Sequence, residues 1–132
     1  MFILVDLYFV IEGMVSRMLT LPIKKKWFDM IAKGEKKEEY REIKPYYERR
    51  FTTAGLLRWT DDHMPTGKEG RVILRNGYGY CSPTMYVSVT LTIGEGKPEW
   101  GAEPNKKYYV LYIESIDRIV VNGVTMWKNI LR

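Results

Sequence analysis

Residues 17–51 read Arg17-Met-Leu-Thr-Leu-Pro-Ile-Lys-Lys-Lys-Trp-Phe-Asp-Met-Ile-Ala-Lys-Gly-Glu-Lys-Lys-Glu-Glu-Tyr-Arg-Glu-Ile-Lys-Pro-Tyr-Tyr-Glu-Arg-Arg-Phe51. Arg17 to Ile23 alternates as a strand does, with Leu19 and Leu21 on one face and Met18 and Thr20 on the other. Pro22 closes it, because proline cannot donate to a ladder. Lys24 to Lys33 follows helical spacing: Ile23, Trp27, Met30 and Ile31 recur at i, i+4, i+7 and i+8. Trp27 is expected in the core. Gly34 is a helix stop, since only glycine adopts the left-handed end without strain. Lys36 to Ile43 then reads as a second strand. Lys37, Glu39 and Arg41 fall on one face and Glu38, Tyr40 and Glu42 on the other. Pro45 opens a second helix to Phe51.

Downstream, extended segments dominate. Residues 52–70 are irregular, with a loop at Asp61–Gly67 that carries the lone histidine, His63. Arg71–Arg75 is a strand, followed by a turn at Asn76-Gly77. Met85–Ile93 is the clearest strand, with Val87, Val89, Leu91 and Ile93 on its apolar face. Gly94–Asn105 reads as a loop, Tyr108–Ile119 as a strand buried in part on both faces, and Val120–Arg132 as a last strand and tail. The later strands lack intervening helices, which excludes a doubly wound α/β sheet. The order predicts an α+β fold: a small curved sheet or barrel with helices at one end.

Composition narrows the class. At 132 residues, 45% hydrophobic and 28% charged, the chain is a single globular domain able to bury a core without staples. One cysteine, Cys81, rules out an intrachain disulfide and fits a reducing, cytoplasmic setting. A single His and a single Cys cannot build a structural zinc site, so no metal or cofactor is expected. The apolar run Met1–Ile11 is shorter than the about 20 residues a bilayer needs. It contains Asp6 and lacks both a basic n-region and a cleavage site, so neither a membrane span nor a signal peptide is expected. Residues 1–16 are read as an N-terminal extension, an added edge strand or short helix, ahead of a domain at 17–132.

The formal charge is +5, and it is concentrated. Residues 24–50 hold ten Lys or Arg against six Asp or Glu, so one stretch carries most of the excess. Lys24, Lys25 and Lys26 stand at a helix start, where free N–H groups favour anions; the alternative is a solvated basic turn. Tyr40, Tyr46 and Tyr47 lie among Lys44, Arg49 and Arg50. Aromatics interleaved with cations suit unpaired bases and phosphates, although Tyr40 is as easily a packing residue. Arg75, Asn76 and Tyr78 could read a base edge beside a glycine turn, or form an ordinary hairpin. Lys36, Glu39 and Arg41 are the candidate catalytic group: nucleophile or proton-transfer lysine, acid–base partner and anion holder. From charge pattern alone, the same strand is a solvated edge.

The spacing Gly34-x-Lys36-x-x-Glu39-x-Arg41 resembles the Gly-x-Lys-x-x-Glu-x-Arg signature of ASCH domains, of the PUA-like superfamily. The run Leu19–Ile31 through Arg41–Arg50, and Ile73-Leu-Arg-Asn-Gly-Tyr78, are similar to small bacterial and phage members. The resemblance extends over residues 17–115. It implies a PUA-like β-barrel with two or three flanking helices and a cleft beside the signature strand, binding RNA, a nucleotide or a modified nucleoside. Some relatives are amidohydrolases on acylated cytidine that use a lysine, a threonine and a glutamate; others are ribonucleases. Lys36 matches that lysine, but Glu39 stands in the threonine position. The partner glutamate would come from the 94–103 loop, which holds Glu95, Glu99 and Glu103. The resemblance therefore carries over a cleft more firmly than a reaction. Three functions follow as expectations: RNA or nucleotide binding first, a nucleoside hydrolase or ribonuclease second, and a protein-interaction domain pairing through the charged strand third.

Overall fold

A computed structural model describes residues 18–59, 65–79 and 81–127. The expectations for residues 1–16, for the loop around His63 and for the tail beyond Trp127 lie outside them. The elements run β1 (Leu19–Pro22), α1 (Lys25–Ala32), β2 (Glu38–Glu42), α2 (Pro45–Thr53), β3 (Leu57–Trp59), β4 (Pro65–Gly67), β5 (Glu69–Arg75), β6 (Thr84–Glu95), β7 (Lys107–Val121) and β8 (Val124–Trp127). One 3₁₀ turn, Pro98–Trp100, interrupts the connection from β6 to β7. The chain is α+β, as expected, with two α-helices among the described residues.

Six strands form one mixed sheet in the order β1-β5-β6-β7-β2, with β8 also on β7. β1 runs parallel to β5, and every other pairing is antiparallel. β2 takes the first part of the outer edge of β7, at Tyr108–Tyr112, and β8 takes the last part, at Arg118–Val121. The sheet is not closed: β1 and β2 are its two ends and do not pair. Register shifts against β6 leave Glu114 and Asp117 as unpaired bulges of β7, which bend the strand and raise its twist.

Local chemistry explains most boundaries. Both helices end on a glycine at positive φ, Gly34 (80°) and Gly55 (79°). Around the first, Gly34 N–H bonds Ile31 O and Glu35 N–H bonds Met30 O, the paired bonds of a Schellman stop. Gly55 and Leu56 repeat the pattern on Thr52 and Phe51. The sharp hairpin is Asn122-Gly123, both at positive φ (52° and 76°), as a two-residue primed turn needs. Asn76-Gly77, expected to be a turn, instead opens a longer connection to β6, closed by Asn76 N–H on Pro83 O.

The core lies between the sheet and the helices, and three expectations are corrected there. Phe28 and Ile31 are the buried residues of α1; Trp27 is only partly buried, packing at the rim of the core. The buried stripe of β6 is Met85, Val87, Val89 and Leu91, while Ile93 is exposed. β5 stops opposite Thr90, so the end of β6 overhangs its neighbour. Pro65–Gly67, expected in a loop, pairs with β3. Gly67 there passes so close to the Leu91 carbonyl that a Cβ would overlap it.

Candidate functional site

The site is assembled where β2 leaves α1. After the Gly34 stop, Lys36 N–H shares Met30 O with Glu35, so the chain turns back beneath the helix end. This sends the Lys36 side chain inward, and the residue is 1% exposed. Its ammonium donates to Trp100 O (2.5 Å) and lies 3.3 Å from Glu39 Oε1. It also sits over the rings of Trp27 and Tyr40, 4.8 Å from each centroid. A carboxylate, a carbonyl and two π faces together offset the loss of water.

Glu39 is shared between two cations. Its Oε2 is 3.2 Å from Arg41 Nη1, and its Oε1 also accepts Tyr40 N–H. Arg41 spends further donors on backbone: Nη1 on Tyr40 O (2.7 Å) and Nη2 on Pro22 O (2.5 Å). Pro22 ends β1, so the guanidinium bridges the two unpaired ends of the sheet. Burial pushes the Lys36 pKa below its ordinary value; Glu39 opposes this and Arg41 adds to it. The result is a dry lysine with a carboxylate in contact and a second cation behind that carboxylate. Such a lysine is easier to deprotonate than a solvated one, and so better suited to attack or proton transfer.

The two faces of β2 alternate as expected, but neither is a solvated edge. Glu39 and Arg41 lie opposite Leu111 and Tyr109, both core residues. Tyr40 lies opposite Val110 and joins Tyr108, Ala102 and Trp100 in a smaller cluster on the other face. The Tyr40 hydroxyl donates to Glu38 Oε1 (2.8 Å) and accepts Lys97 N–H (2.9 Å). That second bond fastens the 96–103 segment over the strand. Gly96 is required there, because a Cβ would come within 2.7 Å of the Tyr40 ring.

A cleft of about 470 Å³ opens along this strand. Its walls are the end of β1, the starts of α1 and α2, β2, and the stretch from Trp100 to Tyr108. It therefore occupies the seam between the unpaired ends of the sheet. Trp27, Glu39, Tyr40 and Trp100, which surround the Lys36 ammonium, all line it. A second cleft, of about 280 Å³, lies between the end of α1 and Tyr112–Ile116 of β7. It touches Lys36 but none of those four groups.

The structure brings only some of the candidate residues together. Lys24, Glu39, Tyr40, Arg41 and Tyr47 line the 470 Å³ cleft; Lys36 does not line it but contacts Trp27, Glu39, Tyr40 and Trp100, which do. Lys25 pairs with Asp29 (2.6 Å) on the helix surface, and the Lys26 ammonium lies 4.6 Å from the Trp27 ring centroid. Tyr46 is 55% exposed, packed edge-on to Tyr47 and beneath Arg50. Arg50 also donates to Thr20 O, and Arg49 is on the exposed face of α2. Arg75 donates to Gly79 O within its own turn, and Asn76 donates across to Ile23 O, just after β1. Tyr78 is fully out in solvent.

Sequence reasoning missed much of the far wall: Trp100, Gly101, Lys106 and Tyr108. Of the three glutamates of the 94–103 loop, Glu103 lines the cleft. The available signal was the pair Trp100-Gly101, an aromatic beside a glycine; the structure holds that glycine at φ 102°, with a tight approach to Trp27 for any added Cβ. Among the described residues, no three His, Cys, Asp or Glu side chains gather as a metal site requires, and no helix is long and apolar enough to cross a membrane.

The fold and site define an α+β protein with an open mixed sheet and a buried lysine–glutamate–arginine group at a cleft. No protein-family model, curated protein or solved structure matches the chain.

Proposed function

We propose that this chain is an ASCH-type domain of the PUA-like class that binds one nucleotide unit, free or as an unpaired residue of RNA, in the cleft along β2. The observation that carries it is the size and lining of that cleft. About 470 Å³ falls within the roughly 300–1,000 Å³ of small-molecule sites. It suits a base and its sugar better than a run of strand. Trp27, Tyr47, Trp100 and Tyr108 supply aromatic wall, on which a base can stack. Lys24 and Lys44 supply charge at the helix starts, and Glu39 and Arg41 supply polar groups that can meet a base edge. In this reading the curl of the sheet is a PUA-like barrel left open at the ligand side, with Arg41 spanning the gap.

Calorimetric titration with nucleosides, nucleotides and short single-stranded RNA tests it. One ligand per chain is expected, with affinity that falls as salt rises for the phosphorylated ligands. Absence of binding to all of them at low salt refutes it.

A second reading, a hydrolase on modified nucleosides, is favoured by one observation: Lys36 is buried, in contact with Glu39, and held below its ordinary pKa. Acylated cytidines and RNA, with and without divalent metal, are the substrates to try. Turnover that survives unchanged in Lys36→Ala removes this lysine from any such reaction.

A further inference from the structure

The charged side chains lining the cleft divide into two sets. Glu42 and Glu103 both face Lys106, at 3.7 and 3.6 Å. Glu39 is held between Lys36 and Arg41, at 3.3 and 3.2 Å. Every carboxylate of the cleft is thus occupied by a cation of the protein. Two cations are left over. Lys24 and Lys44 line the same cleft and have no carboxylate partner among the described residues. They come from separate elements, Lys24 from the start of α1 and Lys44 from the start of α2.

Both side chains are exposed, so each ammonium is free to meet an anion that enters the cleft, and an anion reached by both gains more than one reached by either alone. The rest of the lining is the aromatic rings of Trp27, Tyr47, Trp100 and Tyr108 and the cation-paired carboxylates. Lys44 lies 5.4 Å from the Tyr47 ring centroid, close to an aromatic wall on which a base would stack.

We infer that the cleft selects phosphorylated ligands: Lys24 and Lys44 together hold the phosphomonoester of a nucleoside monophosphate whose base enters between the aromatic walls. This rests on the nucleotide-binding reading above and adds to it the ligand class and the anchor. A compact phosphate dianion matches two ammonium groups better than a single diester charge of RNA does.

The test compares the four nucleosides, their 5′-monophosphates, inorganic phosphate and an oligoribonucleotide without terminal phosphates. Each is titrated against the parent and against a Lys24→Gln/Lys44→Gln double variant, with circular dichroism to show that the variant is folded. The parent is expected to bind monophosphates about tenfold or more tightly than nucleosides, as charge-assisted bonds imply. Inorganic phosphate should compete, and the double variant should bring the monophosphates down to nucleoside affinity. Nucleosides binding the parent as tightly as monophosphates overturn the inference and leave the nucleotide reading standing. So does a phosphate preference that persists in the double variant, or one shown only by the oligoribonucleotide. If no ligand binds, the nucleotide reading falls and the inference falls with it.

Discussion

At the scale of single residues, Lys36 is the least ordinary feature. Its ammonium is enclosed, its pKa is drawn below 10.5 by burial, and only Glu39 and Glu38 pull it back. The folded chain therefore releases this proton at lower pH than the unfolded chain does. At pH values where both states keep the proton, folding bears the full cost of burying the charge. Between the folded value and 10.5 the unfolded chain binds more protons, so stability rises with pH. The gap in urea midpoint between the parent and Lys36→Met is expected to shift towards the parent as pH climbs from 7 to 10. A gap that stays constant would show that the lysine is not destabilised by burial. Tyr40 and Tyr109, whose phenols burial pushes upward, act in the opposite direction at the alkaline end, but in both proteins. The position of Glu39, on the face with Arg41, follows from strand alternation. Its contact with Lys36, at i,i+3, follows from the Gly34 turn that aims the lysine inward.

At the scale of elements, both helices begin unusually. Lys24 and Lys44 occupy the N-cap positions, and neither makes a side-chain cap bond. A hydroxyl or carboxylate there would accept a first-turn N–H, whereas a cation opposes the helix dipole. Lys24→Ser is therefore expected to stabilise α1 and raise the melting temperature, by about 1 kcal/mol of folding free energy. The same change should weaken monophosphate binding. A melting temperature that falls would show that the lysine serves the fold through a contact other than the cap. Of the two helix ends, Gly34 was legible as a stop, whereas the second helix, expected to end at Phe51, runs on to Thr53 and closes on Gly55 by the same bonds. Turn chemistry was less transferable. The same dipeptide, Asn-Gly, makes a tight hairpin at 122–123 and only the start of a longer connection at 76–77. The difference lies outside the dipeptide: β7 and β8 arrive paired at Val121 and Val124, while Asn76 is drawn off to Ile23 O.

At the scale of the whole molecule, the open sheet matters most. Arg41 joins the end of β1 to β2 through Pro22 O and at the same time neutralises Glu39. Arg41→Met removes both roles while keeping the buried stem. It is expected to cost about 2 kcal/mol, as lost charge-assisted hydrogen bonds do. Amide exchange should rise first along β1 and β2. Exchange that rises uniformly would mean that the guanidinium braces the core in general rather than the seam. Ligand bound in the cleft should slow the same amides, because it touches both sides of the gap.

Local sequence was enough to determine the strand–helix–strand–helix order of residues 19–53, the Gly34 stop, the two faces of β2 and the clustering of charge. Each depends on spacing or on backbone freedom within a few residues. Tertiary structure alone decided that β2 is enclosed. Lys36 meets the carbonyl of Trp100, 64 positions away, and Tyr40 is roofed by the segment beginning at Lys97. The same charged strand is an edge in solvent or the wall of a cleft depending on what crosses over it. Periodicity reports which side chains share a face, but what covers that face is set by contacts distant in the chain.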